Sequence, residues 1–187
     1  MAAGRGEQLW EPSEEMVERS TMTRYMRWLA AERGLDFRSY DELWQWSVDD
    51  LDSFWASIWD FFGVTASQPY DSVLGERGMP GAEWFPGARL NYAEHLFEDR
   101  DDDEVAILSA SEIRDLDELT WGELRTRVAE VAAGLRDLGV QRGDRVVAYL
   151  PNIPETIVAF AATASLGAVW SSCSPDFGAS SVIDRFA

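Results

Sequence analysis

At 187 residues the chain is long enough for one ordinary domain, or for a small domain and part of a larger one, with a core of its own. Its 34 acidic against 16 basic residues give a net charge of −18 at pH 7, a field that repels nucleic-acid phosphate and anionic lipid head groups and so excludes both as partners. Every basic residue is arginine, so any chemistry that needs a lysine has no candidate here.

The opening MAAGRGEQLWEPSEE lacks the apolar core of a signal peptide, and no stretch approaches about 18 uninterrupted apolar residues. Cys173 is the only cysteine, which rules out an internal disulfide and fits an intracellular chain. A soluble, cytoplasmic protein without a membrane partner is expected. His95 is the only histidine, so a zinc site is not expected and no metal ligand is assigned.

The first half reads as helical and rich in tryptophan. Met22, Tyr25, Met26 and Leu29 recur at helical spacing up to Gly34. Ser39, with Glu42 three residues on, predicts a capping box that opens the next helix. Leu51, Phe54, Trp55, Ile58, Trp59 and Phe62 then line one broad aromatic face that Gly63 ends, and such a face is expected to be packed rather than to hold a ligand. From 63 to 90 the periodicity fades into a loop expected to be packed down by Trp84 and Phe85, followed by a short helix that Asn91 can cap. The acidic run EDRDDDE, 98–104, reads as a solvated linker and a domain boundary.

Beyond it strands alternate with helices. EVAILSAS is a strand, and Thr120 with Glu123 caps a helix whose predicted apolar face is Leu124, Val128, Val131, Leu135 and Leu138, with Gly139 at its C-terminus. RVVAYL reads as a buried strand, Pro154 stands near the first position of the next helix, and AVWSSC is the following strand, so a parallel crossover is expected.

The turn after RVVAYL is LPNIPE, not the glycine-rich G-x-G-x-x-G of a dinucleotide site. A phosphate loop of the G-x-x-x-x-G-K-[ST] type is excluded by the missing lysine, and no G-x-S-x-G elbow is present. His95 reads as a partly buried helix residue and Cys173 as a packed thiol. What remains is the strand-end loop SSCSPDFG, because ligands of open parallel sheets collect beyond the carboxyl ends of the strands. The alternative is an ordinary turn in which Asp176 caps the helix FGASSVIDRFA.

GDRVVAYLPNIPETIVAFAATASLGAVWSSCSPDFGASSVIDRF resembles the opening of the large domain of the acyl-adenylate-forming enzymes, the AMP-dependent acyl-CoA synthetases. YDELWQWSVDDLDSFWASIWDFF and WFPGARLNYAEHL resemble the N-terminal extension of their acetyl and acetoacetyl members, and LNYAEHL with SPDFGASSVIDRF resembles the acetoacetyl branch. The likeness runs from about Leu9 to the end of the chain and implies an α/β fold, with a helical extension over 1–98 and the incomplete start of the AMP-binding domain over 99–187. It implies a ligase that joins acetoacetate to CoA through an acyl-adenylate, with ATP, Mg2+ and CoA as its substrates and cofactors. The chemistry needs cationic and metal stabilisation of a crowded phosphate, which in this family comes from later parts of the chain.

The chain therefore reads as an N-terminal fragment, inactive alone, whose partners are a small acid and the remainder of the same polypeptide. No catalytic residue is assigned. Ser174, Pro175 and Asp176 stand where acetyl-CoA synthetases line the CoA channel, although those enzymes carry Phe-Gly-Gly-Phe in place of SPDF, so position carries over and chemistry does not. A ligase for acetate or propionate, and a non-catalytic docking module built on the tryptophan-rich helices, stay open as alternatives.

Overall fold

A computed structural model describes residues 8–187, which form two compact units divided between Arg89 and Leu90. The leading MAAGRGE lies outside the described residues. Among the described residues no helix is long and apolar enough to cross a membrane.

The first unit is helical: α1 (Glu14–Arg19), α2 (Thr21–Trp28) running into a π-turn at Leu29–Arg33, α3 (Tyr40–Asp49) and α4 (Leu51–Phe61). Ser20 ends α1 and caps α2, its hydroxyl accepting from the Thr23 N–H at 3.1 Å. Gly34 stops the helical run at φ 67, a left-handed backbone that favours glycine.

Tyr25, Leu29 and Leu43 form the buried centre, with Trp46, Phe54, Ile58 and Phe61 packed around them. Tyr25 and Ser57 are both buried, and their hydroxyls meet at 2.5 Å, so neither polar group is orphaned. Burial pushes the Tyr25 phenol above its ordinary 10.0, which keeps it neutral.

The aromatic face of α4 is a packing surface except at Phe62, which caps the helix and is 59% exposed. Phe54 meets Trp46 at 5.7 Å, Trp55 meets Trp84 at 5.4 Å and Trp59 meets Phe85 at 4.7 Å between ring centroids. Trp84 and Phe85 thus hold the irregular stretch against α4, helped by isolated bridges between Gln68 and Arg89 and between Leu74 and Trp84.

The box predicted at Ser39 forms only by half. Ser39 Oγ accepts from the Glu42 N–H at 3.2 Å, but the Glu42 carboxylate accepts from the Arg38 N–H at 2.8 Å instead of from Ser39. The carboxylate reaches one residue further back.

The second unit comprises α5 (Tyr92–Phe97), β1 (Val105–Ser111), β2 (Arg114–Thr120), α6 (Trp121–Asp137), β3 (Arg145–Tyr149), α7 (Pro154–Ser165), β4 (Val169–Cys173) and α8 (Ala179–Phe186). β1 and β2 form an antiparallel hairpin, while β3 and β4 pair in parallel from Arg145 opposite Val169 to Tyr149 opposite Cys173. Leu119, Leu124, Val128 and Ala132 pack with Val158, Ala161 and Ala162, so the core lies where α6 meets α7. The reciprocal box at Thr120 and Glu123 is complete. Asn91 caps α5 with its carbonyl, and its amide donates to the Ala164 and Ser165 carbonyls at 3.1 and 3.3 Å.

Three expectations are corrected. β2, RDLDELT, was not expected; pairing with β1 supplies what its polar composition does not. The buried face of α6 is Leu124, Val128 and Ala132, an i, i+4, i+8 stripe, whereas Leu138 is 83% exposed and Val131 lies at the surface. The run 98–104 is exposed throughout, as a solvated segment should be, and it is also tied to α6: the Gly122 and Trp121 N–H groups donate to the Asp102 and Glu104 carbonyls, Arg125 pairs with Asp102, and the Arg100 guanidinium lies 4.8 Å from the Trp121 ring.

β3 is not buried on both faces. α7 covers the side carrying Trp170, which meets Phe160 at 6.2 Å, while Val147, Tyr149 and Val169 on the other side are 51%, 49% and 53% exposed.

Candidate functional site

β4 ends at the buried Cys173, and Ser174, Pro175, Asp176, Phe177 and Gly178 carry the chain to α8. These five residues are exposed at the carboxyl end of a parallel strand pair. The Phe177 N–H donates to the Ser174 carbonyl at 3.1 Å and closes a tight turn over Ser174–Phe177. Inside it the Ser174 hydroxyl donates to Asp176 Oδ2 at 3.0 Å, and the Asp176 N–H points back at Ser174 Oγ at 3.4 Å.

The alternative in which Asp176 caps α8 is not what forms. The N-cap is Gly178, with no side-chain cap, because the Asp176 carboxylate is turned toward Ser174. Ser174, Pro175 and Asp176 are brought together in one turn.

Sequence reasoning missed two residues that hold this turn. The Tyr149 hydroxyl, at the last position of β3, donates toward the Pro175 carbonyl at 2.6 Å and the Phe177 carbonyl at 2.8 Å. The Arg185 guanidinium lies 4.9 Å from the Phe177 ring, stacking α8 on the turn. The available signal was a phenol ending the otherwise aliphatic run VVAY.

On the same sheet face a cavity of about 380 Å³ is lined by Arg145, Val147, Val169, Ser171, Arg185 and Phe186. Of its two cations Arg185 reaches the strand-end turn through Phe177, whereas Arg145 stands at the amino end of β3, opposite Val169.

His95 lies within α5 with Nδ1 3.3 Å from Glu98 Oε2, as a helix residue does with an i, i+3 neighbour. Among the described residues no group of three or more His, Cys, Asp or Glu side chains is arranged to hold a metal ion. With no lysine present, these residues do not fit Mg2+ or the reacting phosphates of ATP, and no phosphoryl step is derived from them.

The turn suits a different task. Asp176 repels a phosphate but can accept from an amide, amine or hydroxyl, and Ser174 Oγ, whose proton goes to Asp176, can also accept, so the polar, uncharged parts of a ligand are what the turn can touch.

The geometry and the sequence agree with known proteins. Residues 97–186 match the family model of the AMP-binding enzymes, and residues 40–96 match that of the acetyl-coenzyme A synthetase N-terminus. Together these matches run from residue 40 to residue 186, the likeness being to AMP-binding enzymes with an acetyl-coenzyme A synthetase N-terminus ahead of the AMP-binding part.

Within that class it is homologous to the acetoacetyl-CoA synthetases. It is 46% identical to that of Danio rerio over 183 residues and 42% identical to that of Rhizobium meliloti over 178. These alignments cover 96% and 95% of this chain and 27% of each relative. The solved acetoacetyl-CoA synthetase of Streptomyces lividans superposes with a TM-score of 0.91 at 50% identity, over 96% of this chain and 28% of that one. The chain thus spans about a quarter of the length of the relatives it matches.

Proposed function

We propose that this chain is the N-terminal quarter of an acetoacetate–CoA ligase. In that reaction the acetoacetate carboxylate attacks the α-phosphate of ATP, giving acetoacetyl-adenylate and pyrophosphate, and the CoA thiol then displaces AMP to leave acetoacetyl-CoA. The observation that carries the reading is 50% identity at a TM-score of 0.91 with the Streptomyces lividans enzyme, across both units. The polypeptide is proposed to be cytoplasmic, to use Mg2+ with its ATP, and to divide into a helical extension over 1–98 and an adenylating domain from 99. The change of family model between residues 96 and 97 supports that division, while packing groups α5 with the second unit.

This chain supplies the first strands of the large domain and a rim for CoA rather than the adenylating groups. Ser174, Pro175 and Asp176 border the CoA channel, where Pro175 fixes the backbone and the two polar side chains meet the uncharged parts of CoA.

The test is acetoacetate-dependent exchange of labelled pyrophosphate into ATP, run on the complete polypeptide and on the 187-residue chain. Exchange by the complete polypeptide, dependent on Mg2+ and greater with acetoacetate than with acetate or propionate, is the expected result. The isolated chain is expected to give none, since it has neither a lysine nor a phosphate-binding loop to stabilise the transferring phosphate. Exchange with acetate alone would replace the substrate, and exchange by the isolated chain would overturn the division of labour.

A further inference from the structure

We infer that Tyr149 is a positioning residue for the thioester-forming step: its hydroxyl clamps the Ser174–Phe177 turn to the end of β3 and so fixes the rim along which CoA lies. The clamp itself stands on the geometry, and its consequence for CoA rests on the function proposed above.

The turn has few other anchors. Its internal bonds, from Phe177 N–H to Ser174 carbonyl and from Ser174 hydroxyl to Asp176, shape it without attaching it to the sheet. The sheet ladder ends with the Leu150 N–H donating to the Cys173 carbonyl at 3.3 Å, one residue before the turn begins. Beyond that point Tyr149 bonds two of the turn's carbonyls from the neighbouring strand.

One phenolic proton shared between carbonyls two residues apart fixes both the position and the tilt of the peptide units between them. Those units include the whole of Asp176, whose carboxylate is the group the turn offers to a ligand. Tyr149 can play this part because β3 and β4 are parallel and in register, with Tyr149 opposite Cys173. A side chain at the last position of β3 therefore reaches the residues that leave β4. Phenylalanine there keeps the ring and loses both bonds, and Arg185 on Phe177 holds the turn only from the α8 side.

The decisive variant is Tyr149→Phe, with two readouts. Hydrogen exchange on the complete polypeptide reports the clamp: the Phe177 amide should exchange about threefold to tenfold faster, as the loss of hydrogen bonds of ordinary net strength predicts, while amides of α6 and α7 keep their rates. Unchanged exchange at Phe177 overturns the clamp, whatever the enzyme does.

In the complete polypeptide the KM for CoA should rise by about threefold to tenfold, with acetoacetate-dependent pyrophosphate exchange unchanged. Tyr149→Phe combined with Asp176→Ala should raise it by less than the product of the single effects, because both act through one turn. Faster amide exchange with an unaltered KM for CoA overturns the positioning role. A complete polypeptide that forms no acyl-CoA at all overturns both the positioning role and the proposed function, and leaves the amide exchange to decide the clamp alone.

Discussion

The two units bury their residues by different means. In the first, large rings interleave along the chain: Tyr25 stacks near Trp28 and Phe61, and Trp46 bridges Phe37 and Phe54, while among its described residues only Tyr25, Leu29, Leu43 and Ser57 are buried. In the second, small aliphatic residues do the packing: Ala132, Ala161 and Ala162 let α6 and α7 approach closely, and the sheet beneath is covered on one face only. The helical unit depends on local periodicity and caps. The strand unit depends on segments distant in sequence, and its open sheet face is where the candidate site lies.

The largest effect is expected in the tight aliphatic core. Leu124→Ala removes a side chain only 2% exposed between α6 and its neighbours and should cost about 2 to 5 kcal/mol. Thermal or urea melts followed by near-ultraviolet signals check it, and a loss below about 1 kcal/mol would mean that α6 and α7 are less closely packed than their buried alanines imply.

Next comes the open face. Val147, Tyr149 and Val169 give the isolated chain an apolar surface, so it should self-associate at micromolar concentration. Val147→Asp or Val169→Asp should each weaken association by about tenfold, the factor that about 1.4 kcal/mol of lost burial produces. Sedimentation equilibrium reads the difference. A sharply melting monomer would show that the two units are closed alike.

A smaller effect separates the caps. Thr120→Ala breaks a complete reciprocal box and should cost about 1 to 2 kcal/mol, while Ser39→Ala breaks a half box and should cost about 0.5 to 1. Equal losses would remove the distinction between them.

The smallest effect belongs to an exposed pair that ties β2 to α7. The Glu155 carboxyl is held below its ordinary 4.5 chiefly by its own backbone N–H, with Arg114 adding a hydrogen bond and its charge. A carboxyl lowered by folding stabilises fully above about pH 4.5 and loses that contribution as pH falls through its lower folded value. Arg114→Gln should therefore cost about 0.2 to 1 kcal/mol at pH 7 and nothing near pH 2, as paired melts would show.

How much of this was legible follows the same division. Ser20, Asn91 and Thr120 act through bonds two or three residues away, so their surroundings are local; Asn91 and Thr120 could be read as caps, as could the left-handed stop at Gly139, φ 89. β2 was hidden because five of its seven residues are exposed and its existence depends on pairing with β1. Val131 and Leu138 were misplaced because periodicity shows which residues share a face, not how wide a face the neighbours cover, and α7 covers the stripe through Ala132.

The turn was legible as a position beyond the carboxyl end of a parallel strand, the place where such sheets gather ligands. Its inner geometry was not. That Asp176 turns to Ser174 and not to α8, and that Tyr149 reaches the turn from another strand, depends on the register of β3 against β4.

The most direct test of the central claim, that this turn serves the CoA step of a ligase, is Asp176→Ala in the complete polypeptide, with pyrophosphate exchange and CoA-dependent AMP release assayed separately. CoA is absent from the first chemistry, so the apparent CoA affinity should fall by about threefold to tenfold while exchange and the melting temperature stay as they were. Equal loss in both half-reactions, with a lowered melting temperature, would contradict the account and return Ser174, Pro175 and Asp176 to the status of an ordinary turn.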